Sequence, residues 1–130
     1  MNKIVEFLNE AEVYYLATVE DDEARIRPIG ATIEYDGKVY FATNNQKNMF
    51  QQMINNPSIA ISGVSGDKWI RIVGKAVFDH NYDIKKTMIE TYPILSKYYS
   101  PDDGLFEVFY VDEIEATVYN FEGKVIEHYA

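Results

Sequence analysis

The 130-residue chain contains no cysteine at all. That excludes a disulfide framework, a thiolate metal site, an iron–sulfur cluster and a catalytic thiol. Histidine is nearly missing too: only His80 and His128 occur, too few for an imidazole metal cage. No run of eighteen or so apolar residues exists, so no transmembrane helix is expected. Glu6, Glu10 and Glu12 interrupt the start, and a signal peptide is not expected there either. Positive charge is scarce, with 12 Lys+Arg against 21 Asp+Glu and a net charge of −9. Such a surface repels nucleic acid and anionic membrane, so neither is an expected partner. The familiar phosphate loops, nucleophile elbows and zinc motifs are absent as well.

What is present is a 47 % hydrophobic, 15 % aromatic composition with 11 Tyr and 7 Phe. This suits one cytoplasmic globular domain over residues 1–130, rich in sheet. Asn2 caps a short amphipathic helix ending at Ala11. Val13 to Val19 reads as a strand, and Glu20-Asp21-Asp22-Glu23 as a solvated hairpin tip. Arg25 to Tyr35 reads as one long strand, broken in character by Pro28 and Gly30 and therefore placed at an edge or bulge. Asp36-Gly37 turns into the strand Lys38 to Ala42. Gln46 to Asn55 has helical spacing and stops at Asn56-Pro57. Strands follow at Ser58–Val64 and Lys68–Phe78, the latter with Gly74 as a bulge. A helical stretch from Asn81 is interrupted by Pro93. Strands at Leu105–Val111 and Ile114–Phe121 and a final segment, Lys124 to Tyr129, complete the chain. Six or seven mostly antiparallel strands with two or three short helices predict a mainly β protein, a small closed or partly closed barrel.

The charge pattern locates a candidate site. From Gly37 through Gly66 there is no Asp or Glu, in a chain where acids are plentiful. The charges there are Lys38 and Lys47, with Arg25 and Arg27 just upstream, as an anion site requires. Thr43-Asn44-Asn45 are good capping residues, which puts Lys47 in a first helical turn. A lysine there is disfavoured by about 0.3–1 kcal/mol unless an anion lies between it and the free amides. The alternative is that Lys47 points into solvent. Arg25 and Arg27 share one face of their strand, and Pro28 holds Arg27 extended. An edge backbone there can hydrogen-bond a flat heterocycle, while the arginines offer forked donors to an oxyanion. Trp69 and Arg71 share another face; the tryptophan either stacks on a ligand or dimer partner, or belongs to the core.

The order R-I-R-P-I-G, D-G-K-V-Y-F-A-T-N, Q-M-I-N-N-P-S-I-A-I-S and W-I-R-I-V-G-K-A-V resembles the pyridoxamine 5′-phosphate oxidase-like family of FMN-binding split β-barrels. The general-stress-protein and nitroimidazole-reductase-like members are the most similar. The resemblance spans roughly Val13 to Phe78. It implies a Greek-key split barrel and a homodimer with FMN at the subunit interface. It also implies that the strand Arg25, Ile26, Arg27 and Pro28 runs beside the ring, with ring contacts from Ile26 to Pro28 and with Arg25 joining the phosphate anchor. Thr43, Asn44, Asn45 and Lys47 would surround the ribityl phosphate, and Trp69 and Arg71 would reach the flavin held mainly by the other subunit. Two departures stand out. Met49 occupies the position of the oxidases' phosphate lysine, with Lys47 where their serine would be. The chain also ends G-K-V-I-E-H-Y-A instead of in a basic substrate-gripping segment, so pyridoxamine 5′-phosphate oxidation itself is not expected. The expected function is a flavin-dependent oxidoreductase passing electrons from reduced nicotinamide to a small nitroaromatic or quinone-like acceptor. The alternatives are a non-catalytic, stress-related flavin binder, or a split barrel that holds haem.

Overall fold

Tyr14, Leu16 and Thr18 are buried while Tyr15 is exposed, the period-two pattern of a strand with one wet face. This strand, β1 (Tyr14–Glu20), begins the barrel in a computed structural model that describes residues 2–130. It is preceded by α1 (Lys3–Ala11), whose first turn is closed by Asn2 Oδ1 accepting from the amides of Ile4 (2.9 Å) and Val5 (3.2 Å). The capping expectation therefore holds, and Ile4, Val5 and Leu8 seal one end of the core.

β1 turns through the acidic tip into β2 (Glu23–Ile29), with Asp21 at φ 56°. After β2 come β3 (Thr32–Tyr35), β4 (Lys38–Asn44), α2 (Asn48–Asn55), β5 (Ser58–Ser65) and β6 (Lys68–Asp79). Then follow α3 (Tyr82–Thr91), a 3₁₀ turn (Pro93–Lys97), β7 (Phe106–Asn120) and β8 (Val125–Tyr129). The antiparallel strands run in the order β2-β1-β5-β6-β7-β4-β3, with β8 added to β7. Among the described residues, no helix is long and apolar enough to cross a membrane.

Four expectations are corrected. The described residues form a sheet of eight strands, not six or seven. The stretch Arg25 to Tyr35 is two strands, because the chain leaves the ladder at Gly30 and Ala31; β2 and β3 then stand at opposite ends of the strand path. Leu105–Val111 and Ile114–Phe121 are one continuous strand that bends at Glu113 (φ 53°). The bend lies against the register shift between Val73 and Lys75 in β6. Gly74 sits in that shift, as expected, and a Cβ on it would lie 2.4 Å from Val111 Cγ1 and 2.6 Å from the Asp112 carbonyl. Finally, α2 starts at Asn48, so Lys47 is its N-cap residue and not part of its first turn.

Two cores result. Leu8, Leu16, Phe41, Met53, Ile70 and Phe109 belong to the one inside the barrel. Ile33, Tyr40, Met88, Phe106 and Val108 belong to the second, under α3. Successive residues of β4 supply them alternately, Phe41 to the first and Tyr40 to the second. The cleft described next opens where β2, β4 and the start of α2 meet.

Candidate functional site

β2 is an edge strand, paired among the described residues only with β1, and Pro28 sits on it where no second partner needs a donor. Its inward-leaning residues are Arg25 and Arg27, whose neighbours on β1 are Thr18 and Leu16. Ile26 and Pro28 alternate to the outer, exposed face.

The two arginines have different fates. Arg25 is neutralised by Glu20 and Glu23, each 3.0 Å away, at the solvated hairpin tip. Arg27 donates from Nη1 to the Leu16 carbonyl (3.0 Å) and from Nη2 to Gln52 Oε1 (2.7 Å). Among the described residues it has no carboxylate within ion-pair distance. Burial pushes its pKa below the ordinary guanidinium value, the direction expected for a desolvated charge lacking a counter-ion.

Gln52, which the sequence reading did not single out, organises this corner. It is buried on α2; its Oε1 also accepts from Thr18 Oγ1 (2.5 Å), and its Nε2 lies 3.3 Å from Glu20 Oε2. An uncharged acceptor thus holds Arg27 in place and leaves its charge unspent. Its sequence signal was weak, because glutamine on an amphipathic helix usually reads as solvated.

Lys47 borders the same cavity, without an ion pair among the described residues. As the N-cap of α2 it makes no side-chain cap, so the first amides of the helix, at Asn48 and Met49 on the cavity's border, are uncapped by any side chain. Arg25, Arg27, Lys47 and Met49 border one cavity of about 320 Å³, with Glu20 as its single acid. Two of its three cations, Arg27 and Lys47, have no ion pair among the described residues, and with the uncapped helix N-terminus they make it an anion pocket. Met49 is buried in its wall and supplies no charge.

A second cavity of about 540 Å³ adjoins the first. Pro28, Ile29, Ala42 and Lys47 border both. Its far side comes from the segment after α3, including Tyr92, Leu95, Tyr98 and Tyr99. The anion pocket and this apolar slot form one cleft, sized and lined for a molecule with a charged end and a flat end.

The remaining expected residues lie around or away from this cleft. Thr43 borders the slot, but strand alternation turns its side chain to the Phe41 side, where its buried hydroxyl has no partner among the described residues. The Asn44 side chain donates to the Tyr99 hydroxyl (2.6 Å) and accepts from the Gln46 amide (2.9 Å). Asn45 Nδ2 donates to the Gly104 carbonyl (2.8 Å) and to Glu107 Oε2 (3.2 Å). Both asparagines therefore shape the loop that presents Lys47. Trp69 is not core: Ile70 and Ile72 point inward, while Trp69 stacks on Tyr119 at 4.5 Å with Arg71 beside it. Trp69 and Arg71 border neither cavity. Arg71 is nevertheless in register with Ser62, Tyr15 and Pro28 across β5, β1 and β2. That row spans roughly 14 Å of one outer face.

His80 and His128 also lie outside the cleft, beside Glu107 (3.6 Å) and Thr117 (2.9 Å) respectively. Among the described residues no cluster of three metal-ligating side chains occurs.

Comparison with known proteins agrees with this architecture. The family model described as pyridoxamine 5′-phosphate oxidase matches residues 1–117. A NimC/NimA family protein from Clostridium acetobutylicum is 42 % identical, with a TM-score of 0.91 over 95 % of this chain and 90 % of that one. A pyridoxamine 5′-phosphate oxidase-related, FMN-binding protein from Nostoc punctiforme is 14 % identical, with a TM-score of 0.69 over 94 % and 84 %. A haem-binding protein from Mycobacterium smegmatis is 12 % identical, with a TM-score of 0.74 over 95 % and 57 %. The last two show a shared fold only. No curated protein matches the chain.

Proposed function

The chain belongs to the pyridoxamine 5′-phosphate oxidase family, and on that premise we propose that it is an FMN-dependent oxidoreductase. Electrons would pass from a reduced nicotinamide to a small nitroaromatic or quinone-like acceptor. The observation that carries this reading is that the uncompensated Arg27 guanidinium borders one cavity with Lys47, at an uncapped helix N-terminus. No acid among the described residues pairs with either cation, and a phosphate monoester would do so with the right charge and lone pairs.

The residues fit the cofactor. Arg27, Lys47 and the amides of Asn48 and Met49 would hold the phosphate. Pro28, Ile29 and Ala42, the wall common to both cavities, would lie along the ring system. FMN, when bound, supplies the hydride and electron chemistry that no side chain here can perform. The protein's own work is to anchor the anion, keep Arg27 oriented through Gln52, and exclude water with the aromatic segment after α3. Lys47 stands in for the charge that Met49 does not provide.

The homodimer is part of the same proposal. Ile26 (71 % exposed), Tyr15 (48 %), Val64 (53 %) and Val73 (39 %) share the outer face of β2, β1, β5 and β6. This face is contiguous with Pro28 and the cleft mouth. A second copy docked there would cover it and bring its own Trp69 and Arg71 towards the neighbouring cleft.

A haem reading receives less support, because neither histidine borders the cleft. The deciding experiment is a visible spectrum of the purified protein followed by FMN titration, then NAD(P)H oxidation with a nitroaromatic acceptor. Saturable binding near one FMN per chain with turnover supports the proposal. Tight binding with negligible turnover would make the protein a flavin carrier. No binding would overturn the cofactor.

A further inference from the structure

The loop that presents Lys47 is tied by side chains to a segment 55 to 62 residues further along the chain. Asn44 makes the first tie and faces two ways. Its carbonyl accepts from the Lys47 amide (3.3 Å) and its Oδ1 from the Gln46 amide (2.9 Å), which closes the turn into α2. Its Nδ2 donates to the Tyr99 hydroxyl at 2.6 Å. Asn45 makes the second tie, donating from its backbone amide to the Leu105 carbonyl (3.0 Å) and from Nδ2 to the Gly104 carbonyl (2.8 Å).

Tyr99 is held independently of the loop. Its ring packs on Phe106 at 5.0 Å, and Phe106 is the residue opposite Asn44 across β4 and β7. The core under α3 therefore fixes the ring, and the hydroxyl alone reaches the loop. Tyr98, next to it, is 70 % exposed and makes no hydroxyl hydrogen bond among the described residues.

Lys47 needs such support. It is exposed, and its ammonium makes no ion pair among the described residues. Nothing on the side chain itself sets the direction in which its charge is offered. A flexible lysine loses rotamer freedom on meeting an anion, and a loose backbone beneath it would add to that loss. Restraint of the loop before binding removes the second part.

We propose that Tyr99 is a positioning residue for the phosphate: its hydroxyl holds Asn44, Asn44 holds the turn, and the turn directs Lys47 to the anion pocket. By reciprocity, an anion at Lys47 stiffens the segment that carries Tyr98 and Tyr99, so the two ends of the cleft are coupled. The proposal rests on the flavoprotein reading in one respect only, that phosphate is the anion at Lys47.

Tyr99→Phe removes the hydroxyl and keeps the ring on Phe106. It should weaken FMN binding about three- to tenfold, the effect of one lost hydrogen bond. Riboflavin, which lacks the phosphate, should change by less than about twofold, because no bond to it depends on Lys47. Flavin fluorescence reads both affinities, and a general loss of structure would lower both alike. In an Asn44→Ala background, Tyr99→Phe should have no further effect on FMN, since its action passes through Asn44. Inorganic phosphate, titrated into ¹⁵N-labelled protein, gives a readout without flavin. At saturation it should slow hydrogen exchange of the Tyr98 and Tyr99 amides, both bonded to the Leu95 carbonyl, in wild type and not in Tyr99→Phe.

Equal losses for FMN and riboflavin, an unaltered Tyr99→Phe variant, or full additivity with Asn44→Ala would overturn the positioning role. If FMN binds wild type and Tyr99→Phe alike, the positioning role fails and the cofactor stands. If FMN does not bind while phosphate slows those amides only where the Tyr99 hydroxyl is present, the cofactor reading fails and the positioning role stands. If neither FMN nor phosphate binds, both fail.

Discussion

Arg27 donates from Nη2 to Gln52 Oε1 at 2.7 Å, which ties the edge strand β2 to α2 without neutralising the guanidinium. A carboxylate at position 52 would hold the arginine equally well but cancel its charge. The amide orients the cation and leaves it available.

Arg27→Ala should therefore lower FMN affinity by about ten- to a hundredfold, the worth of charge-assisted hydrogen bonds at about 1.5–3 kcal/mol. Fluorescence titration with FMN reads this directly. Wild-type affinity in the variant would remove Arg27 from the site.

Gln52→Glu separates charge from position. The new carboxylate would pair with Arg27 and stand near Glu20, so FMN affinity should fall at least about tenfold while circular dichroism still shows the folded sheet. Retained affinity would mean that phosphate does not depend on Arg27's free charge.

Arg25→Ala discriminates between the two arginines that the sequence treats alike. Because Glu20 and Glu23 already engage it at the exposed tip, its loss should change FMN affinity by less than about threefold. A loss as large as that of Arg27→Ala would show that Arg25 leaves its acids to bind phosphate.

Ile26→Glu tests the outer face. The side chain is 71 % exposed in one chain, so folding should be unaffected. Light scattering after size exclusion should nevertheless shift from dimer to monomer, because a buried unpaired carboxylate opposes association. A dimer that survives would place the interface elsewhere.

Gly74→Ala probes the bend of β6 against β7. Its methyl group would meet Val111 Cγ1 at 2.4 Å and the Asp112 carbonyl at 2.6 Å, so stability should fall by about 1–3 kcal/mol. Urea denaturation measures that loss, and an unchanged midpoint would mean that the bulge relaxes freely.

Local chemistry made much of this protein legible. The acidic turn, the Asn2 cap, the Asp36-Gly37 turn and the Gly74 bulge depend on neighbours in sequence, and each stands where its residues suggested. The ordered motifs likewise pointed to the family, and the acid-free stretch marked the segment that contains β4, α2 and β5. Other features depend on partners distant in sequence. Whether Arg25 or Arg27 keeps a free charge is decided by Glu20 and Gln52, brought in by a hairpin and a helix. Trp69 turns outward because β5 and β7 set its register beside Val64 and Tyr119. Asn44, a good cap by composition, is spent on Tyr99, 55 residues later. The sequence by itself determined the turns, most strand positions and the sign of the charge at the site, but not the division of Arg25–Tyr35 or the continuity of β7. Only the tertiary structure decided which cation stays unpaired and which tyrosine stays free, because both depend on long-range contacts that no local pattern encodes.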